Sequence, residues 1–150
     1  MMKKSERMIP IKKMAADHEQ EAVKDLGQSQ RALNEHEMKL EQLVNYRAEY
    51  YRLFQEHGSR GMDGSQLQAY QGFLAQLDSA IVSQRNMIEH VNEECDVKRE
   101  VWQQRHTRTE ALGKTVQRYQ NSEQKLEDKR EQREVDDRVN SHFWMTHHNK

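Results

Sequence analysis

From Leu67 to Leu126 the side chains return with alternating steps of three and four residues. The positions are Leu67, Tyr70, Leu74, Leu77, Ile81, Gln84, Ile88, Val91, Cys95, Lys98, Trp102, Arg105, Thr109, Leu112, Val116, Tyr119, Glu123 and Leu126. Most are apolar, and a 3.5-residue repeat held this long specifies a helix packed on another helix along one narrow seam. Such a fold encloses no pocket, so its work is expected along its surface or at its ends. Composition agrees: 34% of residues are hydrophobic and 33% charged, with one proline, and the mean hydropathy is -1.20. That balance suits long helices with a thin apolar stripe and not a globular core. Disorder would account for the polarity but not for the sustained register.

The formal net charge is -1, with acids and bases interspersed. No basic face is large enough to hold nucleic acid, which is gripped by clustered Lys and Arg. Lys125 to Arg138 is dense in charge but mixed in sign, as on a solvated helix face with i,i+4 pairs. Cys95 is the single cysteine, so no disulfide forms within the chain and a reducing compartment is expected; its seam position makes it a small core residue. Lys3 and Lys4 precede no apolar run, so no signal peptide is expected, and no stretch has the length to span a bilayer. The chain reads as cytoplasmic.

The fold class expected is all-α, a long antiparallel two-helix coiled-coil hairpin over residues 1–150, the second helix longer than the first. The first helix is expected over about 9–57, with Pro10 in its first turn. Its seam is Ala15, Ala22, Leu26, Ser29, Leu33, His36, Leu40, Leu43, Arg47, Tyr50 and Phe54. Residues 58–64 hold the glycine cluster Gly58, Gly61 and Gly64 and form the turn. Ser65 and Gln68 have the spacing of a capping box that starts the second helix, expected over about 65–138, before a tail over 139–150 that frays. A short connection places the helices antiparallel. A turn centred near Gly61 sets Leu26 beside Cys95, and the first arm then ends opposite about Leu112. Val116, Tyr119 and Leu126 would continue unpaired over about 20–30 Å. Exposed apolar seam costs roughly 25 cal/mol per Å², so this end is expected to dock on another protein, or else to self-associate or fray.

Catalytic chemistry is not expected. Gly113-Lys114-Thr115 imitates the end of a phosphate loop, but Arg108 stands where the motif needs glycine, and the stretch lies inside the heptad register. His142, His147 and His148 lack thiolate or carboxylate companions for a metal site. His36, at a seam position, reads as a tolerated core polar residue. No carboxylate falls in a cleft that would tune it for proton transfer. Beside the seam, Val44, Tyr46, Tyr51, Phe73 and Ala80 widen the apolar stripe near the turn. Two readings stay open for them: a thicker hairpin core, or an exposed aromatic binding patch.

Leu43-Val44-Asn45-Tyr46-Arg47-Ala48-Glu49-Tyr50 before the glycine turn, and Tyr70-Gln71-Gly72-Phe73-Leu74-Ala75-Gln76-Leu77-Asp78-Ser79-Ala80-Ile81 after it, resemble the flagellar export FliJ family. Length and two-helix layout agree end to end, and YscO-type injectisome proteins share that layout. The resemblance implies a non-catalytic part of the flagellar type III export apparatus, without cofactor or metal. It would be cytoplasmic and peripherally associated with the inner membrane at the flagellar base. It implies a stalk that inserts into the hexameric export ATPase FliI, promotes its assembly and activity, couples it to the export gate protein FlhA and contacts export chaperones. The gate-facing residues would be Leu43, Tyr46, Tyr50, Phe73, Leu77, Ala80 and Gln84, the last a departure where the family can carry histidine. The ring-facing residues would be Ile11, Ala15, Ala22 and Leu26 with Leu112, Val116, Tyr119 and Leu126. Free, the chain would be monomeric, with no membrane insertion and no nucleic acid. The rival is a structural or adaptor coiled coil that homodimerises.

Overall fold

The computed structural model describes residues 2–148, the side chain of His148 excepted. The fold is a helical hairpin of two helices, α1 (Lys4–Ser59, 56 residues) and α2 (Gly64–His148, 85 residues), with no strand among the described residues. Both are far longer than propensity alone sustains in water, so packing along the seam carries them. The seam anticipated on α2 is observed over its middle: Leu77, Ile81, Gln84, Val91, Cys95 and Val116 are buried, Lys98 and Arg105 are exposed breaks, and the end positions Leu67 and Leu126 are exposed. On α1 the seam buries Ala15 and Ala22 and half-buries the positions from Leu26 to Phe54.

Chain reversal takes four residues. Ser59 Oγ donates to Glu56 O at 2.8 Å, closing α1. Gly61 then adopts φ +90°, a left-handed conformation that favours glycine. The second helix starts on Asp63, and not on the Ser65 box. Gln66 N donates to Asp63 Oδ1 at 2.8 Å and Asp63 N to Gln66 Oε1 at 3.4 Å. The two candidate boxes overlap in sequence, and a carboxylate complements the positive end of the helix better than a hydroxyl. α2 also runs on through His148, beyond the stop expected near residue 138. No glycine or proline interrupts 126–148, and Gln132–Asp136 (3.1 Å) and Arg130–Glu127 (2.9 Å) tie successive turns of this helix.

The chain divides into two compact units, one of Gln20–Gln103 and one of Met1–Glu19 with Gln104–Lys150. In the first, Leu77, Ile81, Val91 and Cys95 supply the buried apolar volume, and Cys95 is 1% exposed. Gln84, buried in this seam, donates its amide to His36 O at 2.9 Å and lies 3.1 Å from His36 Nδ1. A satisfied polar pair at a seam position fixes register, because a slip would leave its groups buried and unbonded.

The second unit overturns the expected overhang. Ser5 N and Oγ donate to the Glu123 carboxylate at 3.1 and 2.6 Å, so α1 covers α2 as far as Glu123. Val116 is 5% exposed and Tyr119 half-buried, where both were expected bare. Two things extend the cover: α1 starts at Lys4 instead of about residue 9, and its partners on α2, His106 for Glu19 and Glu123 for Ser5, lie further along than a turn centred at Gly61 sets them. Leu126, 68% exposed, does stand free of cover.

Candidate functional site

Within Gln20–Gln103 the turn-proximal region gathers aromatic rings from both helices. Tyr46 meets Phe73 edge-on at 6.1 Å, and Tyr50 lies 4.5 Å from Phe73 and 5.1 Å from Tyr70. Phe54 continues the cluster 5.6 Å from Tyr70, whose hydroxyl lies 3.0 Å from His57 Nδ1. Aromatic pairs at these separations favour tilted and edge-to-face contact. Desolvation among these rings, with Tyr70 and Tyr46 close by, pushes the Tyr50 phenol above its ordinary range. Arg47 crosses to Asp78, a pairing whose hydrogen bond holds the guanidinium even more firmly protonated.

This geometry divides the seven gate-facing candidates. Leu77 and Gln84 are buried between the helices, and Leu43, Tyr50, Phe73 and Ala80 are half-buried. Tyr46 is 50% exposed, and its neighbour Tyr51 is 42% exposed. Of the widened stripe, Phe73 and Ala80 are half-buried and thicken the core, while Val44, Tyr46 and Tyr51 are exposed. All seven belong to one compact unit.

The ring-facing candidates are split. Ala22 and Leu26 belong to Gln20–Gln103, where Ala22 is 6% exposed. Ile11, Ala15, Leu112, Val116, Tyr119 and Leu126 belong to the other unit. There Ala15 and Val116 are interior, Leu112 and Tyr119 half-buried, and Ile11 and Leu126 exposed. Polar contacts surround this small apolar set. His106 Nδ1 reaches Glu19 Oε1 at 2.6 Å and its Nε2 reaches Glu110 Oε1 at 3.1 Å. The hydrogen bond to Glu19 raises the imidazole pKa, and the same bond lowers that of Glu19. Thr109 Oγ1 donates to Arg105 O at 3.0 Å and lies 3.4 Å from Ala15 O. The bonds from Ser5 hold Glu123 below the usual carboxylate range.

Reading the seam for apolar residues passed over Ser5, Glu19 and His106. A usable signal existed: steps of three and four taken back from Ala15 land on Lys12, Met8 and Ser5. Gly113-Lys114-Thr115 lies in uninterrupted α2, where Thr115 Oγ1 donates to Ala111 O at 3.0 Å. His147 stacks on Phe143 at 4.0 Å and its Nδ1 lies 3.1 Å from Phe143 O, while the side chain of His148 lies outside the described residues. Among the described residues no group of three or more His, Cys, Asp or Glu side chains is placed to hold a metal ion. No described helix is long and apolar enough to cross a membrane.

Comparison with known proteins adds one family. The family described as Flagellar FliJ protein matches residues 3–147. A relative named Flagellar FliJ protein, from Escherichia coli (strain K12), is 22% identical over 130 residues, covering 87% of this chain and 88% of its own. No solved structure gives a significant match.

Proposed function

The chain belongs to the flagellar FliJ family, and from that premise we propose that it is a non-catalytic, stalk-like component of the flagellar type III export apparatus. The observation that carries this is the family match across residues 3–147, nearly the whole chain. In this reading the hairpin inserts into the FliI hexamer, promotes ring assembly and ATP hydrolysis, and couples the ring to FlhA. It also meets export chaperones, and works in the cytoplasm at the inner membrane beneath the flagellum.

The two units suit different parts of that role. The aromatic surface of Tyr46 and Tyr51, backed by Tyr50 and Phe73, is the gate-facing candidate; exposed rings on a rigid backing are what binding surfaces commonly use. Leu77 and Gln84 would act from within, by fixing the helices beneath it. For the ring, Ile11 and Leu126 are available at the surface, while Ala15, Ala22 and Val116 set the spacing of the two helices. A narrow helix pair in a ring pore biases the surrounding subunits through contacts that differ between their conformations.

The test is to mix the purified chain with the export ATPase of the same organism and follow ATP hydrolysis and ring size against its concentration. Stimulation accompanied by hexamer formation is expected. No effect, with the chain itself dimeric by solution mass, would favour the adaptor coiled coil. Tyr46→Glu, at the exposed surface, should then weaken FlhA binding and spare ATPase stimulation; joint loss would indicate a damaged hairpin.

A further inference from the structure

We infer that the first three turns of α1, Lys4 to Met14, form a releasable latch held shut by Ser5 and Glu123. Within α1, Glu6 Oε2 accepts the Lys3 N–H at 3.2 Å, but the residue at the cap position offers no acceptor to the N–H groups of the first turn. The residue ahead of it is Lys3, whose side chain offers donors only. The carboxylate that takes the place of a cap comes from the other helix: Glu123 accepts the Ser5 N–H at 3.1 Å and the Ser5 hydroxyl at 2.6 Å. Ser5 is 5% exposed and Glu123 half-buried, so the clasp is partly sheltered from water. Beside it, Lys4 Nζ lies 5.7 Å from the centre of the Tyr119 ring.

Past the clasp, little holds the segment down. Between Ser5 and Ala15 no residue is buried; Met8 is half-buried, and Ile9, Ile11 and Met14 are 56%, 44% and 62% exposed. Pro10, inside the helix, has no N–H to give the Glu6 carbonyl, so one bond of the helical ladder is missing from this stretch. A segment with few buried apolar contacts, an interrupted ladder and one polar closure belongs to the low-stability end of a fold. Beneath it lie the buried Val116 and the half-buried Leu112 and Tyr119. Release would bare these on α2, and would free the Ile9, Ile11 and Met14 side chains to turn with the segment. That a ring partner profits from the open form rests on the proposed function; the latch itself does not.

Hydrogen exchange on the full chain tests it. Amides of residues 8–14 are expected to exchange well ahead of those of residues 33–43. Glu123→Ala should accelerate exchange by about tenfold further, in the latch segment alone. Glu123→Gln, which keeps an acceptor, should fall between. Equal protection of the two stretches, or a Glu123→Ala effect that is absent or spread over both, would overturn the latch. In the same samples, Glu123→Ala should reach half-maximal stimulation of the export ATPase at lower concentration, since the opening equilibrium is already shifted. A latch released in exchange but silent toward the ATPase would count against the ring reading and leave the latch standing.

Discussion

Between Gln20 and Gln103 the two helices hold each other chiefly through volume, with Gln84–His36 and Arg47–Asp78 as polar links; in the unit of Met1–Glu19 with Gln104–Lys150 they hold each other chiefly through clasps. The first unit buries Leu77, Ile81, Val91 and Cys95 and adds interlocked aromatic rings. The second buries Ala15, Val116 and Ser5, and is joined by Ser5–Glu123 and His106–Glu19. Full burial of a Leu or Ile side chain stabilises by about 1.5–3 kcal/mol, whereas a partly solvated ion pair contributes little. One seam register thus runs through regions of unequal grip. Apolar burial neither titrates nor is screened as charges are, while polar clasps respond to both pH and ionic strength.

The sharpest way to break this contrast is core truncation. Ile81→Ala should cost about 3 kcal/mol and lower the main denaturant midpoint. Val116→Ala should cost about half as much and act mainly on local exchange in its own unit. Equal effects on the main transition would mean that the units unfold as one. Asp63→Ala removes the cap of α2 and should cost about 1 kcal/mol, read in the same unfolding curve. Gln84→Leu should change stability by less than about 1 kcal/mol, because a bond is exchanged for apolar packing. Its expected signature is a lost preference for one register, visible as dimer in solution-mass measurements.

The smallest expected effect is the most selective. His106 has a raised pKa, so its contribution is complete below the ordinary imidazole value and fades as pH rises through the raised one. Glu19 has a lowered pKa, so its contribution is complete above the ordinary carboxylate value and fades as pH falls through the lowered one. The clasp is therefore strongest between those ordinary values. Ring-proton titration of His106 by NMR should show the rise, and Glu19→Gln should reduce it.

How much the sequence told depended on what filled the seam. Ile81, Val91 and Cys95 announce themselves, since an apolar residue at every third or fourth step has one physical reading. So do the turn at Gly61 and the aromatic steps at Tyr46, Tyr50 and Phe73. Ser5 and Met8 keep the same steps, but a serine at a seam position carries no apolar signal, and its partner Glu123 is distant in sequence. Pro10 suits a first helical turn and so points to a later start, and the expected overhang combines that start with a pairing centred on Gly61, which Ser5–Glu123 overruns. The capping of α2 failed for a different reason: two boxes of equal spacing compete, and only the electrostatics of the first turn separates Asp63 from Ser65. Which surface rings face outward was not legible either, because that depends on how far each helix is rotated about its axis.

Cys95, 1% exposed, has a consequence for anyone handling this protein. It is the single thiol in the chain, and it sits where no reagent arrives while the helices stay together. A thiol-specific dye in excess therefore reports, through the speed of its attachment, how often the helices part at that point. The chain carries its own stopwatch, started by no engineered label and read without disturbing a surface residue.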